Sequence, residues 1–165
     1  MTADTRLAEK LAELGLSMPP APAAKGVYRP LSVAGGLVYA SGHLSAGPDG
    51  QLVTGRVGQG LDVAAGYAAA RLAALGILAS LQKEFGTLDR IRRLVKLFGV
   101  VACTPEFTQH PAVLNGASEL LAHVLGPEAG IGARSAIGAA SLPLGAAVEI
   151  EAVFELQPVD TAQSR

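Results

Sequence analysis

Two charged residues near the C-terminus have the types and the spacing expected of a small-molecule site. Arg134 begins a run of small residues, and Glu149 lies fifteen positions later in a segment that alternates apolar and acidic residues. An arginine guanidinium can hold a carboxylate through two parallel hydrogen bonds, and a glutamate can accept and donate a proton. An arginine in apolar surroundings needs a counter-ion, which here is Glu149, Glu151 or a bound ligand. The residues alone slightly favour a structural ion pair over a ligand clamp and leave the partner open.

Both residues are predicted to lie on neighbouring strands within residues 133–154. Leu142-Pro143-Leu144-Gly145 interrupts this segment, and its proline and glycine end the first strand and permit a turn. Along the second strand, alternation separates two sets of side chains onto opposite faces: Val148, Ile150 and Ala152 on one, and Glu149, Glu151 and Val153 on the other. Adjacent strands would then bring Arg134 and a carboxylate together in one small polar pocket.

Hydrophobic spacing and turn residues predict the remaining elements, which must support this pair. Helices are expected at residues 4–14, at 58–85 and from Pro111 to near Gly126, and strands at 31–33, 37–41 and 91–103, with a short extended piece at 51–53. Asp4 is a candidate N-cap of the first helix, and Gly35-Gly36 is a hairpin signal. Two long helices among mixed strands predict an α+β fold in which the helices cover one face of the sheet.

The composition is that of a single domain with few charged residues. The 165 residues are 50% hydrophobic and 16% charged. A surface this poor in charge predicts that another subunit covers an apolar face. The formal net charge is −1, and the only basic cluster consists of Arg90, Arg92, Arg93 and Lys96. A nucleic-acid surface needs more clustered lysine and arginine, so nucleic-acid binding is not expected.

The remaining chemical groups predict a cytoplasmic protein without a metal. The single cysteine, Cys103, excludes an internal disulfide and fits a reducing compartment. The N-terminus lacks the basic and apolar regions of a signal peptide, and polar residues interrupt the apolar segments, so neither a leader nor a membrane span is expected. His43, His110 and His123 do not have the spacing of metal ligands.

Four of these side chains have both a structural and a chemical interpretation. Cys103, at the end of a predicted strand, is more often a packed small hydrophobe than a nucleophile. His43 follows Ser41-Gly42 at a strand end and is a candidate for a residue that lines a cleft. His110 is expected in a loop, and His123 is expected on the surface of a helix.

Four segments resemble the RidA family, also called YjgF/YER057c/UK114 and labelled endoribonuclease L-PSP. The strongest is at the C-terminus, where Ala133-Arg134-Ser135, Leu142-Pro143 and the Val-Glu-Ile-Glu-Ala run at 148–152 resemble the family signature. Residues 26–30 resemble the family's Gly-Pro-Tyr segment, residues 38–43 a strand that ends in Ser-Gly-Gln, and residues 112–115 the start of its second helix. The resemblance predicts three regions: an N-terminal helix with a proline-rich extension at 1–25, a RidA-like domain at 26–156, and a flexible tail at 157–165.

This resemblance implies a fold, an assembly and an activity. The family has the fold of trimeric chorismate mutase, a mixed sheet with two long helices on one face, here with an N-terminal helix added. Its members form homotrimers with ligand sites in the clefts between subunits. Its best-known activity is the hydrolysis of reactive 2-imino acids and their enamine tautomers to 2-keto acids and ammonia, without a cofactor or a membrane partner.

The resemblance also implies roles for six residues. Arg134 would bind the substrate carboxylate, and Glu149 would position or activate the attacking water, with Ser41 as a second catalytic residue. The other three, Tyr28, Asn115 and His43, would shape the pocket and bind ligand or water. An iminium carbon is already electrophilic, so orientation and a water site provide most of the chemistry that is needed.

Departures from the family pattern keep two further functions open. His43 replaces the usual glutamine, and Ala136 stands where active deaminases often carry cysteine. These changes suit a divergent branch, and they leave room for a trimer that binds a small carboxylate without converting it. The family's older label suggests an endoribonuclease or a translation inhibitor, which the near-neutral charge argues against.

Overall fold

The structure, a computed structural model, describes residues 1–158, so most of the tail expected at 157–165 lies outside the described residues. Within them, three helices are present: α1 (Ala3–Leu14), α2 (Val63–Phe85) and α3 (His110–Leu125). The strands are β1 (Leu31–Ala34), β2 (Leu37–Leu44), β3 (Arg56–Val57), β4 (Gly60–Leu61), β5 (Ile91–Ala102), β6 (Ala133–Ala139) and β7 (Val148–Leu156). Short 3₁₀ turns at Leu88–Arg90 and Pro143–Gly145 precede β5 and β7.

The five longer strands form one mixed sheet in the order β1-β2-β7-β5-β6, and β3 and β4 form a small parallel pair. Within the large sheet β5 and β6 are parallel, and the other three pairings are antiparallel. Helices α2 and α3 contact each other and the side of the sheet on which β7 buries Val148, Ile150 and Ala152. The predicted α+β fold with two long helices on one face is therefore confirmed, and so is the alternation along β7.

The prediction that the strands of Arg134 and Glu149 are neighbours is wrong. Strand β5 lies between β6 and β7 and pairs with both of them. Residues 142–147 do not close a hairpin, because they carry the chain past β5 to the centre of the sheet, where the apolar face of β7 becomes buried. The parallel pairing of β6 with β5 requires a long crossover, and α3 provides it.

Helix α2 forms the centre of the core and begins at Val63, not at residue 58 as predicted. The glycine-rich residues before it form the β3–β4 pair, and Asp62 caps the helix by accepting a hydrogen bond from the Ala65 N–H at 2.7 Å. Among the described helices, α2 alone is long and apolar enough to cross a membrane. The same length and composition are those of a core helix, and 56% of its apolar stretch is buried within the fold.

Helix α1 packs against α3 and the turn before β5. Its N-cap is Thr2, whose Oγ1 accepts a hydrogen bond from the Thr5 N–H at 3.1 Å, and not Asp4 as predicted. The Asp4 carboxylate instead accepts hydrogen bonds from the Gln82 amide at 2.7 Å and the Thr87 hydroxyl at 2.5 Å. Asp4 therefore fastens α1 to the end of α2, a role that depends on the tertiary structure.

Helix α3 packs against the backbone of α2 at Gly116, which is buried. A Cβ atom added to Gly116 would collide with the backbone carbonyl group of Tyr67 on α2. The backbone of a packed helix cannot turn aside as a flexible side chain can, so the two helices would have to separate.

Gly116→Ala is expected to lower the free energy of unfolding by about 2 kcal/mol, because overpacking a core contact typically costs about 1–3 kcal/mol. For a domain of this size the melting temperature should fall by roughly 4–8 °C. Gly76→Ala on α2 is the matched control, since a Cβ there would make only ordinary contacts with His43, at 3.6 Å or more. A thermal scan in which Gly116→Ala melts at or above the wild-type temperature would contradict this packing.

Candidate active site

The candidate site begins at an irregularity in β2. The pairing of β2 with β7 shifts register between Ala40 and His43, so that Ser41 and Gly42 form a bulge. One extra residue in a strand reverses the alternation of side chains beyond it. Val38 and Ala40 are buried before the bulge, and His43 is buried after it.

The sequence predicts that His43 lines the cleft, and this prediction is wrong. His43 lies in the core with 2% of its surface exposed. Its Nδ1 donates to the Ser41 carbonyl oxygen at 2.7 Å. Because a carbonyl only accepts, Nε2 of the neutral ring accepts from the Ser80 hydroxyl at 2.8 Å. Burial lowers the pKa of His43, and the hydrogen bond to Ser41 opposes this less strongly. The His43 ring thus stabilises the bulge from the core side of the sheet.

His43 should make the free energy of unfolding depend on pH below 6.5, its ordinary pKa. The unfolded chain takes up a proton on this imidazole near that pH, whereas the folded chain does so only at lower pH, so acidification favours unfolding. We expect the melting temperature to fall as the pH is lowered from about 7.5 to about 5.5. The variant His43→Gln should show a weaker dependence, because glutamine does not titrate.

The comparison with the variant is necessary because the raised pKa of Glu149 acts in the opposite direction. Above 4.5, the ordinary pKa of glutamate, the folded state retains a proton that the unfolded state has lost, so this contribution to stability falls as pH rises. Equal slopes of melting temperature against pH in wild type and His43→Gln would exclude His43 as the source of the acid sensitivity.

Glu149 lies on the face of β7 opposite the helices, beside a cavity of about 520 Å³. Its carboxylate lies directly over Gly42, where an added Cβ would collide with Oε1. Burial raises the pKa of Glu149, and the negative charge of Glu151 raises it further. The bulge in β2 thus provides the space for a carboxylate that is more basic than usual.

Tyr28, Ser41 and Leu144 line the same cavity. The Ser41 hydroxyl donates to the Arg29 carbonyl oxygen at 2.6 Å, and its oxygen can still accept a hydrogen bond. Tyr28 is 50% exposed, and its hydroxyl accepts from the Lys25 N–H at 3.3 Å. Leu144 is exposed and has a φ of 57°, a strained value for a residue other than glycine.

Arg134 lies on the edge strand β6 and faces α3. Its register partner on β5 is Leu97, which is buried on the helix side of the sheet. Nη1 of Arg134 donates to Asn115 Oδ1 at 2.9 Å and to Ser118 Oγ at 3.0 Å. Both partners are neutral, and within residues 1–158 no carboxylate forms an ion pair with Arg134. The guanidinium is therefore held in place by neutral partners, without an ion pair in this part of the chain.

The predicted site residues therefore form two separate groups. The Glu149 group (Tyr28, Ser41, Gly42 and Glu149) lies on the face of the sheet without helices. The Arg134 group (Arg134, Asn115 and Ser118) lies on the helix side of an edge strand. Since β5 separates the two groups, one subunit does not bring Arg134 and Glu149 together. A structural ion pair of Arg134 with Glu149 or Glu151, which the residues alone slightly favour over a ligand clamp, is absent from the described chain.

Two members of these groups are not identified by the sequence. Ser118 lies three positions after Asn115, so helical spacing alone would have placed both on one face. Gly42 contributes only because the bulge places it beneath Glu149, and no local pattern indicates this. Among residues 1–158, no group of three or more His, Cys, Asp or Glu side chains is placed to hold a metal ion.

Comparisons with known proteins show which family the chain belongs to. Residues 8–156 match the model of the family described as "YjgF/chorismate_mutase-like, putative endoribonuclease". Protein TCP17 of Trypanosoma cruzi is 42% identical over 156 residues, which are 94% of this chain and 98% of TCP17. The crystal structure of Atu1372 from Agrobacterium tumefaciens has 43% identity and a TM-score of 0.85, with 94% of this chain and 96% of that chain covered.

RidA from the Antarctic bacterium Psychrobacter sp. PAMC 21119 is a more distant relative. It is 28% identical, with a TM-score of 0.59 over 86% of this chain and 98% of the RidA chain. The sequence and the backbone thus resemble Atu1372 more than RidA itself. With the family model matching nearly the whole described chain, this protein belongs to the YjgF/RidA family, with a chorismate mutase-like fold, and lies on a branch that has diverged from RidA.

Proposed function

We propose that this protein hydrolyses 2-imino acids and their enamine tautomers to 2-keto acids and ammonia, at sites shared between neighbouring subunits of a homotrimer. The observation that carries the proposal is the division of the site into two groups. The Arg134 group presents a cation without a carboxylate partner in the described chain, and the Glu149 group presents a basic carboxylate beside a cavity. The Arg134 group lacks a proton acceptor, and the Glu149 group lacks a cation that could bind the substrate carboxylate.

The face of the sheet without helices supports contact with another copy of the chain. Tyr39 and Ile137 are 44% and 47% exposed, and Phe98 and Val100 on the same face are only half-buried. An apolar face of this kind is typical of a subunit interface. A second subunit that laid its β6 edge on this face would bring its Arg134 group against the Glu149 group, and three such contacts close a ring.

In such a shared site the reaction needs only these residues and water. Arg134 holds the substrate carboxylate through its planar fork. Glu149 takes a proton from water as the water oxygen bonds to the imine carbon. Glu149 then protonates the nitrogen, the C–N bond breaks and ammonia leaves, while the new hydroxyl gives its proton to the Glu149 carboxylate and becomes the keto oxygen; the carboxyl group then releases this proton to solvent. Tyr28 and Ser41 orient the ligand and the water.

The raised pKa of Glu149 suits both proton transfers. A glutamate carboxyl group with the ordinary pKa of 4.5 is a weak base, and near neutral pH almost none of it is protonated and able to donate. Burial and the charge of Glu151 raise the pKa of Glu149 towards neutral pH. The same burial reduces competition from bulk water for the carboxylate oxygens.

Mixing two inactive variants tests both the activity and the shared site. The substrate 2-iminopropionate is generated in the assay, and pyruvate formation is followed. Glu149→Gln and Arg134→Ala subunits, unfolded and refolded together in equal amounts, should regain about a quarter of wild-type activity, because about one interface in four then joins two intact groups. Each variant refolded alone is the control. Activity that does not rise on mixing, or light scattering from a stable monomer at micromolar concentration, would contradict the shared site.

A carboxylate-binding protein without turnover is the second candidate. It is favoured by a mainly apolar cavity of about 260 Å³ beside Arg134, which is lined by Leu94, Ala122 and Ile131 among others, includes one carboxylate, Glu119, and does not include Glu149. Binding of pyruvate in a thermal-shift measurement, with no wild-type turnover of 2-iminopropionate, would favour this function over the deaminase.

The basic cluster gives no support to a nucleic-acid function. Arg92 and Arg93 both form ion pairs with Glu155, at 2.7 and 2.5 Å, and Lys96 donates to the Ser135 hydroxyl at 2.8 Å. The Glu155 carboxylate reduces the local positive potential, so we expect no tight RNA binding at about 150 mM salt.

A further inference from the structure

A second cluster of reactive side chains lies where β5 and β6 end, apart from both groups of site residues. The Sγ atom of Cys103 is 3.4 Å from Nε2 of His110, the first residue of α3. Together with Arg56, these two residues line a cavity of about 360 Å³. His110 is therefore not the loop residue that the sequence predicts, and Cys103 is not merely packed among apolar groups.

Three segments of the chain hold this pair in place. The backbone N–H of Cys103 donates to the Ala139 carbonyl oxygen at 3.0 Å, and Cys103 also forms a bridge with Val57. The ring of Phe107 packs edge-on against the His110 ring, with the centroids 5.2 Å apart. A thiol and an imidazole that are held at hydrogen-bond distance can exchange a proton, which activates the sulfur as a nucleophile.

Gly138 on β6 leaves the pair open to the cavity. A Cβ atom at this position would lie 2.6 Å from Cys103 Sγ and 2.5 Å from His110 Nε2, so any side chain there would cover both atoms. Gly138 itself is exposed, although Cys103 has only 6% of its surface exposed. A small molecule can therefore reach the sulfur across the glycine, whereas a large one cannot.

The charge around the cavity favours an anion. Nε of Arg56 is buried and has no hydrogen-bond partner among the described residues. The N-terminus of α3, which carries partial positive charge, begins at His110. No acidic residue is among those that line the cavity in the described chain.

We propose that Cys103 and His110 form a second reactive site, which binds small electrophilic carboxylates and is alkylated by them. Arg56 holds the carboxylate, and His110 takes the proton of the thiol. The sulfur forms a bond to the β-carbon of an α,β-unsaturated carboxylate, and the electrons of the C=C bond move to the α-carbon. The α-carbon then receives the proton from His110, so the addition consumes no oxidant or other reactant. This site operates independently of Arg134 and Glu149.

Iodoacetate and iodoacetamide, which differ chiefly in charge, test the site on the full-length protein. With either reagent the sulfur bonds to the CH₂ carbon, iodide leaves, and the thiol proton passes through His110 to solvent. Cys103 is the only cysteine, and mass spectrometry of its proteolytic peptides separates its alkylation from that of histidine or methionine. At about pH 7, where an ordinary thiol is only a few per cent thiolate, we expect the ratio of iodoacetate to iodoacetamide rates to be roughly tenfold higher in the folded chain than in urea.

Variants separate the contributions of the two basic residues. His110→Gln should slow alkylation by both reagents roughly tenfold, because glutamine cannot take the proton of the thiol. Arg56→Gln should slow iodoacetate alone, and Arg56→Lys should restore part of that rate because it keeps the charge. Melting temperatures establish that each variant is folded.

Three results would overturn the proposal. One is a folded chain that reacts more slowly than the urea-unfolded chain with both reagents. The second is an unchanged rate in His110→Gln, and the third is a reagent ratio that is the same with and without urea. The first and third need only wild-type protein, so they decide the matter even where a variant does not fold.

Discussion

Glu149→Gln is expected to lower the turnover of 2-iminopropionate by about 100-fold or more while largely keeping the affinity for a 2-keto acid. Glutamine has the size of glutamate but cannot take a proton from water, and general acid–base catalysis typically contributes about 10²–10⁴-fold. The loss should appear in kcat and not in KM, because Arg134 binds the substrate carboxylate in the proposed site. Steady-state rates over a range of substrate concentrations measure both quantities.

Glu151→Gln is the matched control, since Glu151 is exposed on the same face of β7, two positions further along. The charge of Glu151 raises the pKa of Glu149, so removing it should lower that pKa. In the proposed mechanism the rate should rise with pH as Glu149 ionises, and Glu151→Gln should shift this rise to lower pH and leave the plateau rate nearly unchanged. Turnover that is lost in Glu151→Gln and kept in Glu149→Gln would show that the wrong carboxylate has been assigned.

Arg134→Ala is expected to weaken the binding of pyruvate by roughly 10- to 100-fold. A charge-assisted hydrogen bond contributes about 1.5–3 kcal/mol, and each 1.4 kcal/mol corresponds to a factor of ten in the dissociation constant. Arg134→Lys keeps the charge but loses the planar fork, so it should restore binding only in part. Calorimetric titration of the three proteins gives the dissociation constants.

The melting temperature separates ligand binding from a structural role. Arg134 donates only to the neutral Asn115 and Ser118 within the described chain, so losing these two bonds should lower the free energy of unfolding by about 1–3 kcal/mol. Asn115→Ala removes one of these partners and keeps the guanidinium, which makes it the control for local structure. A large fall in the melting temperature of Arg134→Ala with pyruvate binding intact would assign Arg134 to the fold or the assembly.

The helices and most strands follow from the sequence because their signals are local. The 3.6-residue spacing of α3, the glycine pair between β1 and β2, and the alternation along β7 each depend on residues close together in the chain. The types of residue in the site follow in the same way. Arg134 and Glu149 stand out because a charged group within an apolar strand requires a partner, whichever partner that is.

The order of the strands and the direction of single side chains do not follow from these signals. Two strands that follow each other in the chain can pair only if no third strand lies between them. Strand β5 lies between β6 and β7 and pairs with one of them at each of its edges. His43 faces the core because of one extra residue in β2, and a bulge has no pattern in the alternation that precedes it.

Sequence alone thus determined the fold class and the family to which the chain belongs, and it marked Arg134 and Glu149 as charged residues that need partners. Only the tertiary structure decided that Arg134 and Glu149 lie on opposite faces of the sheet, that Gly42 leaves room for the Glu149 carboxylate, and that Cys103 meets His110 under Gly138. The physical reason is that these relations depend on contacts between elements far apart in the chain. Such contacts form only when the sheet and the helices pack together, so the local spacing of residues does not predict them.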